Sequence, residues 1–242
     1  MPDQSKSTVP EPDTSPDVLR DRILDAALLH VPFDGWTQPS FDAAIADTGI
    51  DRGVARSLFP RGPLDLALAF HARGDAAMVA RLRATGVGQM RVRDKIATAV
   101  RYRLEAAEDR EAVRRGATLF ALPQNAAEGA RAIWQTSDLI WTTLGDPSQD
   151  FNWYSKRAIL AGVYSSTLLY WLGDTSPGQE ATWAFLDRRI DDVMAFEKAR
   201  TAIDRNPVFR AATAGPRWIL GQLRAPLRPT PVDMPGRWRR DP

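Results

Sequence analysis

Ser40-Phe41-Asp42-Ala43-Ala44-Ile45-Ala46-Asp47-Thr48-Gly49-Ile50-Asp51-Arg52-Gly53-Val54-Ala55-Arg56-Ser57-Leu58-Phe59-Pro60 is the stretch on which the fold turns. Its spacing predicts a short helix over 40–48 that stops at Gly49. A second helix follows, which Asp51 caps and which ends before Pro60. Glycine at the join allows the tight turn. Ahead of them, Asp17-Val18-Leu19 opens a helix with Leu19, Ile23, Ala26, Ala27 and His30 on one face, and Pro32 is expected to end it. Two short helices behind a leading one make a helix-turn-helix, with Ala46, Ile50 and Phe59 expected to pack the three together.

Working outward, nearly every segment reads as helix. Pro63 suits the first turn of a longer helix carrying Leu64, Leu66, Leu68, Phe70, Met78 and Leu82, broken by Gly86-Val87-Gly88. Further helices fit 90–107, 109–121, 124–144, 150–172 and 177–203, and a last amphipathic piece runs from Pro207 to about Leu223. No stretch of strict alternation is long enough for a sheet. The class is all-α with about ten helices. The layout Ile45-Ala46-x-x-Gly49-Ile50, then Val54-x-x-x-Leu58-Phe59-Pro60, resembles the N-terminal domain of TetR-type regulators. The expected organisation is a disordered leader (1–17), a three-helix region (18–60), a helical ligand-binding and dimerisation domain (61–204) and a basic tail (205–242).

Composition excludes several classes. The 242 residues contain no cysteine, so disulfides and thiolate metal sites are absent. Only His30 and His71 offer imidazole, and no Glu-x-x-His or His-x-x-x-His pair occurs. Neither His belongs to a nucleophile motif, and Gly86-Val87-Gly88 lacks the rest of a phosphate-loop pattern. His30, on an apolar helix face before Pro32, reads as a core or capping residue rather than a base. No enzyme activity, metal or cofactor is expected. No run approaches the ~18 apolar residues of a spanning helix. The first 17 residues are mostly Pro, Ser, Thr and acids, neither a transit peptide nor a secretory signal, so a bacterial cytoplasmic protein is the simplest reading.

Charge is uneven. Residues 205–242 hold eight Arg against two Asp, a net +6 on a chain whose total is +2. A cationic tail on a mildly acidic body points to an anionic surface. The helix-turn-helix over 20–60 has the opposite sign: four Arg against six Asp, net −2. A DNA reader must neutralise several phosphates, and this one offers only Arg52, Arg56 and Ser57 on its second short helix. No nucleic-acid partner is expected, and a DNA-binding regulator with an apolar ligand is the alternative.

Asp150-Phe151-Asn152-Trp153-Tyr154-Ser155-Lys156-Arg157 concentrates the residue types that dominate protein interfaces. Adjacent Trp153 and Tyr154 point about 100° apart on a helix, so one of them is expected near the surface. Arg157 lies one turn from Trp153, close enough to stack on it. Asp150 can cap the helix. The residues alone leave two readings: an interface patch, or a core Trp153 with Asp150 as a cap only.

At Ile23-Leu24-Asp25-Ala26-Ala27-Leu28-x-His30-Val31-Pro32-Phe33-x-Gly35-Trp36 the chain resembles the coenzyme Q biosynthesis accessory family, the lipid-binding "Coq nine" proteins. The likeness continues at Leu58-Phe59-Pro60-x-Gly62-Pro63, Phe70-His71, Trp134-x-x-x-Asp138-x-Ile140-Trp141, Asp150-Phe151-Asn152-Trp153-Tyr154-x-Lys156-Arg157 and Thr182-Trp183-x-Phe185-Leu186-x-x-Arg189-Ile190. It covers about residues 20–200. The resemblance implies a TetR-like fold without regulator function, a homodimer, an isoprenoid or quinone lipid ligand and a peripheral place on the membrane, here the inner face of a bacterial cytoplasmic membrane. It also implies service to the di-iron demethoxyubiquinone hydroxylase, with Asp138, Trp141, Asp150, Asn152, Trp153, Tyr154 and Arg157 as the surface that meets it. On that reading Trp153→Lys keeps the fold and loses the partner.

The remaining expectations combine residues with that resemblance. Leu66, Phe70, Ile96, Val100, Phe120, Trp134 and Trp171 would wall a lipid cavity, although such residues suit a solid core equally and only the resemblance argues for a cavity. Small Ala158, Ala161, Gly162, Ser165 and Ser166 permit close helix approach, which suits a dimer bundle. In the tail, Val208, Phe209, Trp218, Ile219, Leu220 and Leu223 supply an apolar stripe edged by Arg210, Arg217 and Arg224, whose stems can reach anionic headgroups.

Overall fold

The computed structural model describes residues 15–107, 109–205 and 225. Among them are nine α-helices: α1 (Pro16–Asp34), α2 (Gln38–Thr48), α3 (Arg52–Leu58), α4 (Pro63–Thr85), α5 (Val92–Glu105), α6 (Arg110–Ala121), α7 (Ala126–Thr143), α8 (Phe151–Gly173) and α9 (Glu180–Arg205). No strand occurs among the described residues. The tail residues Val208, Phe209, Arg210, Arg217, Trp218, Ile219, Leu220, Leu223 and Arg224 lie outside the described residues, as does most of the leader.

Local chemistry sets the helix ends. Asp51 accepts from the Gly53 and Val54 amides at 2.8 and 3.0 Å, and Asp109 accepts from those of Glu111 and Ala112 at the same distances. Each such cap stabilises its helix by about 1 kcal/mol. Gly49 closes α2 at φ +64°, a conformation that a side chain would strain. His30 Nε2 lies 2.6 Å from Asp47 Oδ2 and ties α1 to α2.

Two expectations fail here. Pro32 does not end α1, which runs on to Asp34. Arg115 reaches from α6 to donate to the carbonyls of Pro32 and Phe33 at 3.2 and 3.3 Å, and the Gly35 amide closes on the Val31 carbonyl. The last turn is thereby satisfied without a partner for the missing proline N–H. Ala46 does not pack the head, because it faces solvent. The buried stripe of α2 is Phe41, Ala44 and Ile45 at three- and four-residue spacing, and Ala46 falls one residue past it. Phe59 is buried and Ile50 packs beside it as expected.

The hydrophobic side chains gather into two clusters. One joins α1, α2 and α3 to Leu66 and Ala67 of α4 and Ala112 of α6. Trp36 seals it, with Nε1 donating to the Ala112 carbonyl at 3.0 Å and its ring 5.4 Å from that of Phe70. The three-helix head therefore shares its core with the body. The other cluster collects Met78, Leu82, Val100, Leu104, Ile140, Leu160, Tyr164, Trp171, Leu186 and Ile190 from α4, α5, α7, α8 and α9.

The α2 face gives a direct check. Ala44→Asp places an unpaired carboxylate in a fully buried position and should cost about 3 kcal/mol or more in urea unfolding. Ala46→Asp should change stability by less than about 0.5 kcal/mol.

Candidate functional site

A cavity of about 420 Å³ lies where the two clusters meet. Ala67, Phe70, Ala112 and Phe120 come to it from the head side, and Leu104, Val113, Ile133, Tyr164 and Leu168 from the body side. Room is left by small residues on facing helices: Gly74 and Ala77 of α4, Gly116 and Ala117 of α6, Gly129 and Ala130 of α7. The volume falls within the usual range of ligand pockets, ~300–1,000 Å³, and the wall has the expected apolar character.

One end of the cavity is polar. Arg103 of α5 donates through Nε to Asp75 Oδ1 of α4 at 2.5 Å and through Nη2 to the His71 carbonyl at 3.0 Å. Thr136 of α7 donates to the same carboxylate at 2.9 Å and lies 2.8 Å from His71 Nε2. Asp75 and Arg103 are both almost fully buried. Gly74 makes this possible, because a Cβ there would sit 2.6 Å from Arg103 Nη1. Burial first, and then the Arg103 charge, pull the His71 imidazole down to about 4. Burial, reinforced by Asp75, pushes the Tyr164 phenol up.

Of the residues expected to wall a lipid site, Phe70 and Phe120 line this cavity. Leu66 and Val100 do not, because they point into the two solid clusters. Trp134 packs on Trp153 and Tyr154, with ring centroids 6.0 and 6.4 Å away. Trp171 is buried with its Nε1 donating to Gln179 and Arg110 over its ring. Ile96 instead lines a second space of about 230 Å³ between α5, α7, α8 and α9, together with Trp141 and Asn152. His71, Arg103 and Tyr164 were not among the expected lining residues. The sequence signal for the cavity was the set of small residues at facing helix positions rather than the large ones.

The 150–157 patch is built differently from the expected surface. Asp150 and Asn152 are exposed, Tyr154, Trp141 and Asp138 are half-buried, and Trp153 and Arg157 are buried. Residues 153, 157, 160, 164, 167 and 171 form the inward stripe of α8, and Arg157 lies on it with no exposed side-chain surface. The cation is accommodated by pairing. Its Nε donates to Asp138 at 2.6 Å, its Nη1 to Asp146 at 3.3 Å and to the Trp153 carbonyl at 3.0 Å. The guanidinium stacks 4.0 Å from the Trp153 ring centroid, as expected. Burial alone would raise the Asp146 carboxyl, but bonds from Lys156, Ser148 and Arg157 outweigh it and hold it below the usual range. Asp150 caps α8 through the Asn152 amide at 3.0 Å. Trp141 donates to the Lys156 carbonyl at 3.1 Å. Trp153 and Arg157 thus hold α8 against α7, and a lysine at 153 would bury a second cation beside the first.

Two measurements follow from this geometry. Trp153→Lys and Arg157→Ala should each cost about 3–5 kcal/mol, the second by emptying a fully buried position and breaking the pairings to Asp138 and Asp146, whereas Asn152→Ala should change stability little. Thermal or urea unfolding reads both. For His71, the folded imidazole at about 4 stays neutral while the unfolded one, near 6.5, takes a proton. Stability should therefore decline as pH falls from about 6.5 to about 4, by up to about 3 kcal/mol, and His71→Gln should flatten that part of the profile.

The COQ9 family profile matches residues 126–197, which span α7, α8 and most of α9. The chain is 35% identical over 201 residues to the mitochondrial ubiquinone biosynthesis protein COQ9 of Drosophila melanogaster, covering 80% of this chain and 61% of that protein. It is 34% identical to the Rattus norvegicus COQ9 protein (74% of this chain, 60% of that one) and 31% identical to the Homo sapiens one (74% and 59%). The chain thus spans about three fifths of the length of these relatives. In architecture it is similar to a TetR transcriptional regulator from Nitrosomonas europaea, with TM-score 0.60 at 19% identity over 72% of this chain and 97% of that one. The chain thus carries the COQ9 family's pattern through residues 126–197 and is similar to COQ9 ubiquinone biosynthesis proteins over most of its length, on a TetR-like fold.

Proposed function

We propose that this protein is a non-catalytic accessory protein of ubiquinone biosynthesis that takes an isoprenoid or quinone lipid into the cavity between α4 and α8 and presents it to the di-iron demethoxyubiquinone hydroxylase. The observation that carries the reading is an apolar-walled cavity of about 420 Å³ at the junction of two cores in a COQ9-type chain. Phe70, Phe120 and Ile133 supply its greasy wall. The partner surface is the exposed edge of the 150–157 patch, Asp150 and Asn152 with half-buried Tyr154 and Trp141, held in place by the Arg157 pairings.

The protein acts as a homodimer in this proposal. Ala158 and Gly162 are exposed on α8, with Ala161, Ser165 and Ser166 half-buried beside them and Leu169 65% exposed at the end of the same face. Small residues followed by an open apolar one suit close packing of a second α8. The basic tail holds the dimer peripherally on the inner face of a bacterial cytoplasmic membrane. No helix among the described residues is long and apolar enough to cross a membrane.

The acidic head makes no use of DNA in this proposal. Two of its four arginines are engaged within the molecule: Arg52 lies 3.5 Å from Asp42, and Arg22 donates to the Thr48 carbonyl at 3.1 Å. A regulator would present such groups to phosphates.

Organic extraction of the purified full-length protein should release a prenylated or quinone lipid by mass spectrometry, and the protein should capture the hydroxylase of its own organism in a pull-down. Asp150→Asn, which keeps a capping oxygen, with Asn152→Ala should weaken the capture at least tenfold while leaving the thermal midpoint near wild type. A lipid-free protein that binds duplex DNA at physiological salt would overturn the proposal in favour of the regulator reading.

A further inference from the structure

The corner between α4 and α5 holds apolar and cationic side chains out of the fold. Gly86 ends α4 at φ +64°, a short 3-10 turn follows over Val87–Gln89, and buried Val87 pins that turn to the core of the body. Met90, Arg91 and Val92 then stand outward, with Met90 40% and Val92 55% exposed. Apolar side chains grouped in the open and rimmed by polar ones mark a contact surface. From Ala76 to Arg93 the chain has four arginines (81, 83, 91 and 93) and no acidic residue. Arg81 is held by Glu105 at 2.6 Å, and Arg93 by Asp191, Asp187 and Asp94 at 2.7, 3.3 and 3.6 Å. The acids beside the corner are therefore already matched. Arg83 and Arg91 are exposed and make no ion pair or hydrogen bond to a described residue.

Other elements come to the same end of the molecule. α5 runs antiparallel to α9, with Arg93 against Asp191 and Arg101 over the Trp183 ring. α9 therefore passes the corner near Val193 and Met194 and continues to Arg205. Met194 is 39% exposed there. Val92, Val193 and Met194 share the second space, of about 230 Å³, with Asn152 and Ser155 at the start of α8. Gln149, just ahead of α8, accepts from the amide of Ala225 at 3.0 Å. Ala225 belongs to the basic tail, so the tail is brought to the end where the corner stands.

We propose that the α4–α5 corner is a second membrane contact, distinct from the basic tail, in which Met90 and Val92 enter the interface of an anionic bilayer while Arg83 and Arg91 meet its phosphate head groups. Arginine stems can lie along an apolar tip with the guanidinium at head-group level. A nucleic acid would take the cations but leave Met90 and Val92 in water. An uncharged surface would leave both arginines unmatched. One such contact is weak, but joined to the tail on one body it multiplies the overall affinity. It also fixes orientation, because two points on the bilayer hold the 150–157 patch beside the membrane where a single anchor would let it swing. This rests on the peripheral-membrane reading above and adds the contact that sets the protein's attitude on the surface.

The chain has no cysteine, so a single one can be introduced and labelled without background. Full-length Met90→Cys carrying an environment-sensitive NBD label is titrated with vesicles of phosphatidylcholine, with and without phosphatidylglycerol. The label should brighten and shift to the blue on the anionic vesicles only. The same label at Thr175→Cys, exposed at the opposite end of α8, should not respond. In the unlabelled full-length protein, Arg83→Gln with Arg91→Gln should weaken co-sedimentation with anionic vesicles about ten- to thirtyfold and leave the thermal midpoint unchanged. The corner contact is overturned by a Met90 label that stays silent while wild type sediments, by one that responds equally to neutral vesicles, or by a double variant that binds like wild type. Wild type that fails to sediment with anionic vesicles overturns the peripheral-membrane reading itself.

Discussion

One carboxylate organises the middle of this molecule. Asp75 on α4 receives Arg103 from α5 and Thr136 from α7, and the three side chains are almost fully buried. Such a pair contributes little net stability by itself, because desolvating two charges offsets most of their attraction. What it imposes is geometry. Three helices must meet at fixed positions or a buried charge is stranded. The apolar clusters can then fill the space on either side but not the space beside the pair. The cavity is that remainder, and its walls are the edges of both clusters.

A second buried cation repeats the device at the other end of α8. Arg157 occupies an inward position that an aliphatic residue would ordinarily fill, and it draws Asp138 of α7 and Asp146 of the α7–α8 connection toward it. Lys156 and Ser148 add to Asp146, so one acidic residue gathers two cations and a hydroxyl. The exposed Asp150 and Asn152 then stand on a rigid support. Residues that present a surface and residues that hold it are adjacent in sequence here, which is why the patch is compact.

The head has the three-helix geometry of a TetR-like fold, and its residues 20–60 carry a net charge of −2. Its core is continuous with that of the body through Trp36, Leu66 and Ala112, so α1 also lends Leu28 to the cavity wall. Packing here depends on the apolar stripes, which are independent of the charge the surface carries.

Helix periodicity, caps and glycine breaks made the all-helical class and most helix ends legible, because Asp51, Asp109, Asp150, Gly49 and Gly86 act through neighbours a few residues away. The stacking of Arg157 on Trp153 was legible for the same reason. The inward direction of that pair was not, since it depends on Asp138 and Asp146 arriving from another segment. Nor could apolar content separate Phe70 and Phe120, which line the cavity, from Leu66 and Val100, which do not. The turn through Pro32 stays helical with its carbonyl taken by Arg115, which crosses from α6. Local sequence thus determined which segments coil, where they stop and which family pattern they carry. Tertiary structure decided which side chains face empty space, because a void and its polar end are set by how distant helices pack, and no single helix encodes that.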